Sequence, residues 1–159
     1  MIKFANFDDV LFIAENMRAQ DEKEIYATRN DLTATPYMLT VDVMGTENVG
    51  MAFVAYNKQG EPVATFGSSE QWPKVWNVFM FATDKFHEVA KEVTKFIKYK
   101  LIGIVTNAGA HRGECMSLST HHVAHKWLKF LGAVQESTAT QYGKNGEDFY
   151  CFRFLKKVE

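Results

Sequence analysis

His111, Cys115, His121, His122 and His125 gather in one short stretch of the chain. Imidazoles and thiols bind metals and move protons. His121 and His125 stand at i, i+4, a spacing that sets two imidazoles on one helix face and can chelate a metal. Cys115 and His111 would complete a tetrahedral zinc set. A structural zinc site is marked by two tight ligand pairs, and the second pair is missing. These are therefore read as polar positions at a helix start, and no metal is expected. A cysteine near a histidine is also the beginning of a nucleophile–base pair. Nothing in the spacing fixes that geometry, so Cys115 is read as a small core residue.

Three tryptophans, Trp72, Trp76 and Trp127, are the side chains on which a base or cofactor ring would stack. Trp127 falls on the apolar face of its helix, where packing accounts for it. Trp72 precedes Pro73 in a loop and is the one expected to meet a partner. Lysines from Lys85 to Lys100 make a basic helix face, but Asp84, Glu88 and Glu92 interleave with them. That pattern predicts a solvated face, not a nucleic-acid surface.

The elements that must position these groups follow from periodicity and caps. Ile2 to Ala5 is a short strand. Asn6 caps a helix carrying Asp8 and Asp9 in its first turn, where carboxylates suit the helix dipole. Arg18 to Asn30, rich in charge, is a second and more exposed helix with Ile25 and Tyr26 as its apolar contacts. Thr35-Pro36 opens a third as far as Gly45, although TVDV (Thr40 to Val43) also suits a strand. Val49 to Tyr56 and Pro62 to Ser68 form a hairpin around NKQGE. Val75 to Ala82 is almost wholly apolar, as a strand buried on both faces should be. Thr83 and Asp84 cap a helix whose buried face is Phe86, Val89, Ala90, Val93, Phe96 and Ile97. Leu101 to Val105 is read as a strand and Thr106 to Met116 as a glycine-rich loop. Ser119 or Thr120 then caps the best-defined helix, which buries Val123, Ala124, Trp127, Leu128 and Leu131 and stops at Gly132. Ala133 to Tyr142 and Asp148 to Leu155 close the chain as a hairpin. The fold class is α/β: one domain over residues 1–159, a mixed central sheet with helices on both faces.

Bulk properties exclude several classes. A chain of 159 residues, 47% hydrophobic and 23% charged, suits one domain with a substantial core. Its 13 Phe, 6 Tyr and 3 Trp predict an aromatic-rich interior. A net charge of −1 gives no footprint for nucleic acid or an anionic membrane. No apolar run approaches the roughly 20 residues of a membrane span, and the first residues lack the pattern of a signal peptide. Two cysteines are too few for a disulfide framework.

That element order, with KFLGAV (Lys129 to Val134) taking a glycine-ended helix into a late strand, resembles the GNAT superfamily of N-acetyltransferases over nearly the whole chain. Three stretches are similar to the acetyltransferase-like small internal virion proteins of short-tailed phages: FATDKF (Phe81 to Phe86), HKWLKFLGAV (His125 to Val134) and the final hairpin (Gly146 to Phe154). In active GNAT enzymes a glycine-rich loop after the central strand holds the pyrophosphate of acetyl-CoA on free backbone N–H groups. The matching segment here, Ala82 to Val93, has no glycine, carries Asp84 at the anion position, and offers Lys85 as its nearest cation. The tyrosine that many members use to reprotonate the CoA thiolate corresponds to Leu128, and a frequent asparagine corresponds to His121.

The resemblance thus implies a catalytically degenerate phage-type protein, located in the host cytoplasm or the virion. It would act by binding a virion or host protein, with no cofactor. The alternative is an acetyl-CoA-dependent N-acetyltransferase with a divergent pyrophosphate loop. There, Phe81, Ala82 and Thr83 would offer main chain to the pantetheine and Lys85 would serve the cofactor. His87 or Glu114 would be the base.

Overall fold

The computed structural model describes residues 1–156; the last three residues of the expected domain lie outside the described residues. Seven strands form one sheet in the order β1-β2-β3-β4-β5-β7-β6. They are β1 (Ile2–Phe4), β2 (Gly50–Tyr56), β3 (Pro62–Trp72), β4 (Val75–Ala82), β5 (Arg112–Leu118), β6 (Val134–Ala139) and β7 (Phe149–Leu155). Pairing is antiparallel from β1 to β4, parallel between β4 and β5, and antiparallel again through β7 to β6. The helices are α1 (Phe7–Glu15), α2 (Ala19–Ala27), α3 (Pro36–Gly45), α4 (Ala90–Phe96), α5 (Ile102–Asn107) and α6 (His122–Leu131).

Local chemistry explains the starts. Asn6 Oδ1 accepts the Asp9 N–H at 3.0 Å, and Thr35 Oγ1 accepts the Met38 N–H at 3.2 Å with Pro36 in the first turn. With that cap in place Thr40 to Val43 is helical, burying Leu39, Thr40 and Val43. In the β2–β3 turn Asn57 Oδ1 accepts the N–H groups of Gln59 and Glu61, and Gly60 supplies φ 81°. Side-chain alternation along β2 then builds two cores. Ala52, Val54 and Tyr56 pack with Val10, Ile13, Leu39 and Val43 on the α1–α3 face. Phe53 and Ala55 pack with Val89, Val93 and Leu101 on the other. The four largest fully buried side chains are Phe66, Phe81, Phe149 and Phe152, as the aromatic content predicts.

The expectation fails between residues 97 and 118. Leu101 to Val105 is helix, not strand. A 3₁₀ turn (Asp84–Glu88) leads into α4, a π turn (Ile97–Leu101) and α5 as one continuous rod. Val89, Val93, Leu101 and Val105 are all buried on one side of it. Helical spacing therefore outweighs the local β-branched preference. The π turn keeps the two ends in phase through an Ile102 N–H to Ile97 C=O bond. Gly109, at φ 99°, then turns the chain, and the segment expected to be a glycine-rich loop supplies β5.

Helix α6 also begins differently. Its first flanking residue is His121, with no side-chain cap from Ser119 or Thr120. It ends as expected at Gly132, φ 106°. No helix among the described residues is long and apolar enough to cross a membrane.

What positions the site is a break in the sheet. The β4–β5 ladder pairs Val75, Trp76 and Asn77 with Arg112, Gly113 and Glu114, and ends there. Beyond it the strands diverge. Residues 78–82 of β4 run on without a strand neighbour on that side, while β5 is held by β7.

Candidate active site

Helix α2 fills the open end of the divergence with charge. Asp21, 4% exposed, accepts two hydrogen bonds from the Arg18 guanidinium at 2.9 Å each, and the Ala82 N–H at 2.9 Å. The Arg18 N–H donates to the Ala82 C=O at 2.8 Å. Burial raises the Asp21 carboxyl above its ordinary range; Arg18, the Ala82 N–H and His121 pull it back without winning. One turn on, Glu24 Oε2 accepts three hydrogen bonds: from Ser117 Oγ at 2.9 Å, from the Leu118 N–H at 2.8 Å and from His121 Nδ1 at 3.1 Å. The far side of the His121 ring, Nε2, lies 3.9 Å from Asp21 Oδ1, beyond hydrogen-bond reach. His121 is buried, yet it lines an open cavity of about 1110 Å³ with Arg18, Asp21, Glu24, Ser117 and Met80. On the opposite wall Phe86 and Trp127 meet edge to face at 6.2 Å. Arg18 stacks on Phe86, and Trp127 Nε1 donates to Thr94 Oγ1 at 2.8 Å. Both rings line the cavity.

The expected site residues fare unevenly. The Thr83 N–H donates to Val63 C=O on β3, so the alternation of an antiparallel ladder also turns Phe81 toward β3. Of the expected main-chain trio, only Ala82 faces the divergence, and Asp21 and Arg18 already hold it. By the same alternation the Met80 main chain faces the gap. Thr83 Oγ1 accepts the Lys85 N–H of a 3₁₀ turn, and Lys85 is ion-paired to Glu61. His87 is exposed on that turn and Glu114 is paired with Arg112; neither lines the cavity. They stand outside the site as candidate bases.

The histidine–cysteine cluster also separates. His125 Nε2 donates to the Leu118 C=O at 3.0 Å, packs against Tyr150 and Phe152, and is held below the usual imidazole range by burial. Burial pushes the Cys115 thiol up to about 12, which leaves no thiolate to attack or bind a metal. No group of three or more potential metal ligands converges among the described residues.

Sequence reasoning misses Arg18, Asp21 and Glu24 because the charge of α2 marks it as the more exposed helix. Their i, i+3 spacing is the signal that places them on one face, together with the buried end at Ala27.

An open mixed sheet split between two parallel central strands, with helices on both faces, is the GNAT fold. No protein-family model matches the sequence, and no curated protein matches it. Solved structures do. The structure of yncA from Salmonella typhimurium with its cofactor acetyl-CoA aligns with a TM-score of 0.76 at 15% identity, over 100% of this chain and 95% of that one. Ribosomal-protein-S18-alanine N-acetyltransferase from Escherichia coli gives 0.72 at 12%, over 100% and 95%. A GNAT superfamily phosphinothricin acetyltransferase from Sinorhizobium meliloti, in complex with acetyl-CoA, gives 0.68 at 15%, over 98% and 87%. These comparisons correct the expectation of a degenerate phage-type binding protein. The three structures named are of acetyltransferases or acetyltransferase-like proteins, two of them with acetyl-CoA, so the likeness sides with the acetyl-CoA alternative and not with the phage-type reading.

Proposed function

We propose that this chain is an acetyl-CoA-dependent N-acetyltransferase with a divergent pyrophosphate loop. The observation that carries the reading is the divergence of β4 and β5 onto a cavity of about 1110 Å³. The Met80 main chain faces this cavity, and proton-transfer groups line it.

The residues fit the thioester half of acetyl-CoA well. A pantetheine arm is an extended chain with amides, and β4 beyond Asn77 offers it a strand edge. The phosphate half meets a different chemistry from a glycine nest. Thr83 to Glu88 is a 3₁₀ turn without glycine, and its Lys85 N–H is already taken by Thr83 Oγ1. Charge comes instead from the Lys85 side chain. Its pairing to Glu61 is solvent-exposed and worth little, so a phosphate can displace it. Bound there, acetyl-CoA supplies an activated acetyl group. The chain's residues orient the acceptor amine and handle its protons.

Thermal denaturation with acetyl-CoA tests this. At a hundredfold excess over Kd a specific ligand adds about 2.7 kcal/mol, or roughly 5–10 °C for a chain of this size. No shift at millimolar acetyl-CoA refutes the reading.

A further inference from the structure

We propose that His121 is both the base for the acceptor amine and the acid for the departing thiolate, with Glu24 as its positioning residue. This rests on the acetyl-transfer reading.

A carboxylate only accepts hydrogen bonds, so the contact to Glu24 Oε2 assigns the imidazole proton to Nδ1. Nε2 is then the lone-pair nitrogen. It lies 3.9 Å from Asp21 Oδ1, with no hydrogen-bond partner among the described residues, and the His121 residue lines the cavity. Glu24 is itself fixed by Ser117 Oγ and the Leu118 N–H, at the end of β5 where α6 begins. Carboxylate, imidazole and cavity thus lie together at the open end of the divergence, beyond the last β4–β5 pair.

The charges favour an alkylammonium acceptor. Arg18 is matched by Asp21 and Arg29 by Asp42. Among the described residues Glu24 has no lysine or arginine partner, so this end of the cavity carries a negative charge that faces only Ser117, the Leu118 N–H and His121. His121 Nε2 takes a proton from the ammonium and becomes imidazolium, stabilised by Glu24. The freed amine nitrogen forms its bond to the thioester carbonyl carbon, and the C–S bond breaks with its electron pair going to sulfur. His121 Nε2–H gives its proton to that sulfur, and the remaining proton on nitrogen leaves to water. The sum is ammonium plus thioester giving amide, thiol and one proton. Leu128, buried on α6, has no group for the second transfer, so the His121 imidazole performs both.

Two measurements test this. Histidine ¹⁵N spectra of the free protein, assigned against His121→Gln, should show neutral His121 as the Nδ1–H form; an Nε2–H form overturns the proposal. CoA release from acetyl-CoA is then followed with lysine amide, spermidine, phenethylamine and an unblocked peptide as acceptors. His121→Gln should lower kcat by about 10²–10⁴-fold while the acetyl-CoA thermal shift is unchanged. His121→Ala should regain part of the loss with added imidazole. Glu24→Gln, which still accepts from Nδ1, should lower kcat without raising KM. Overturning results are a His121→Gln kcat within threefold of the parent, or a parent that binds acetyl-CoA and turns over none of these amines. A parent that shows no acetyl-CoA shift removes the acetyl-transfer reading itself.

Discussion

Asp21 gives the most quantitative test of how the site is held. Its carboxylate is 4% exposed and anchors the start of α2 to the end of β4. Asp21→Ala strips the Ala82 N–H of its acceptor and Arg18 of its partner. A buried N–H without a partner costs about 1–3 kcal/mol. The Arg18 side chain keeps 22% exposure and so retains water, which holds its share to about 1 kcal/mol. The sum is about 3 kcal/mol, a large part of the ~5–15 kcal/mol that keeps a domain folded. Asp21→Asn is different. Its Oδ1 still accepts the Ala82 N–H, and the neutral amide escapes the burial penalty that raises the Asp21 carboxyl above 3.8. It should cost no more than about 1 kcal/mol. The pH dependence has a definite sign. A carboxyl with a raised folded value contributes stability below its unfolded value, and that contribution is lost as pH rises through the folded value. Wild type should therefore gain on Asp21→Asn as pH falls from neutral toward 4. Urea unfolding of the three proteins at two pH values reads this out. An Asn variant as costly as Ala at neutral pH, or a difference that moves the other way on acidification, would refute the claim that burial outweighs the Arg18 pairing.

Other positions make sharp predictions. Gly132→Ala meets no atom within 4 Å, so its cost is that of a left-handed alanine. That is about 1–2 kcal/mol, a few degrees in melting temperature; no change would mean the α6 terminus does not need φ 106°. Gly67→Ala would drive its Cβ into the Met51 carbonyl oxygen and to 2.8 Å from Phe79 Cζ. It should abolish folded protein, judged by circular dichroism, and a cooperative native melt would contradict the register of β2–β4. Cys115, with its thiol pushed up to about 12, is thiolate to about one part in ten thousand at pH 8. It should resist iodoacetamide in the native protein and react in urea, as mass spectrometry would reveal. Lys85→Ala should weaken acetyl-CoA about three- to tenfold by calorimetry, the value of one screened charge on a phosphate; an unchanged Kd removes Lys85 from the site.

Most of the sheet was legible because strands and caps are local. Asn6, Thr35-Pro36, the NKQGE turn and Gly132 each act on neighbours a few residues away, and each sits where local chemistry places it. The region between residues 97 and 118 was not legible, for a tertiary reason. Leu101 to Val105 is short and β-branched enough for a strand, and its helical state depends on burying Leu101 and Val105 against β3 and β4. Once that segment became helix, the polar, glycine-bearing run after it had to supply β5. The site was hidden by the same kind of cause. Charge on α2 normally means solvent, and nothing local says that Asp21 and Glu24 reach the ends of two strands far along the chain.

The departures on α6 take on a different meaning in this light. By resemblance, Leu128 and His121 stand where an acid and an amide are expected, which reads as chemistry lost. The structure packs Leu128 with Ala133 and Phe152 and sets His121 where α2, β5 and the cavity meet. A leucine on the buried face of α6 removes a proton donor from the middle of the helix. A histidine just before its first turn, hydrogen-bonded to Glu24, offers one at its N-terminus. Under the proposed mechanism the two positions concern the same proton, and His121 would move its transfer about two helical turns from where the resemblance puts it. Loss of His121 should therefore stop the reaction while leaving acetyl-CoA binding intact.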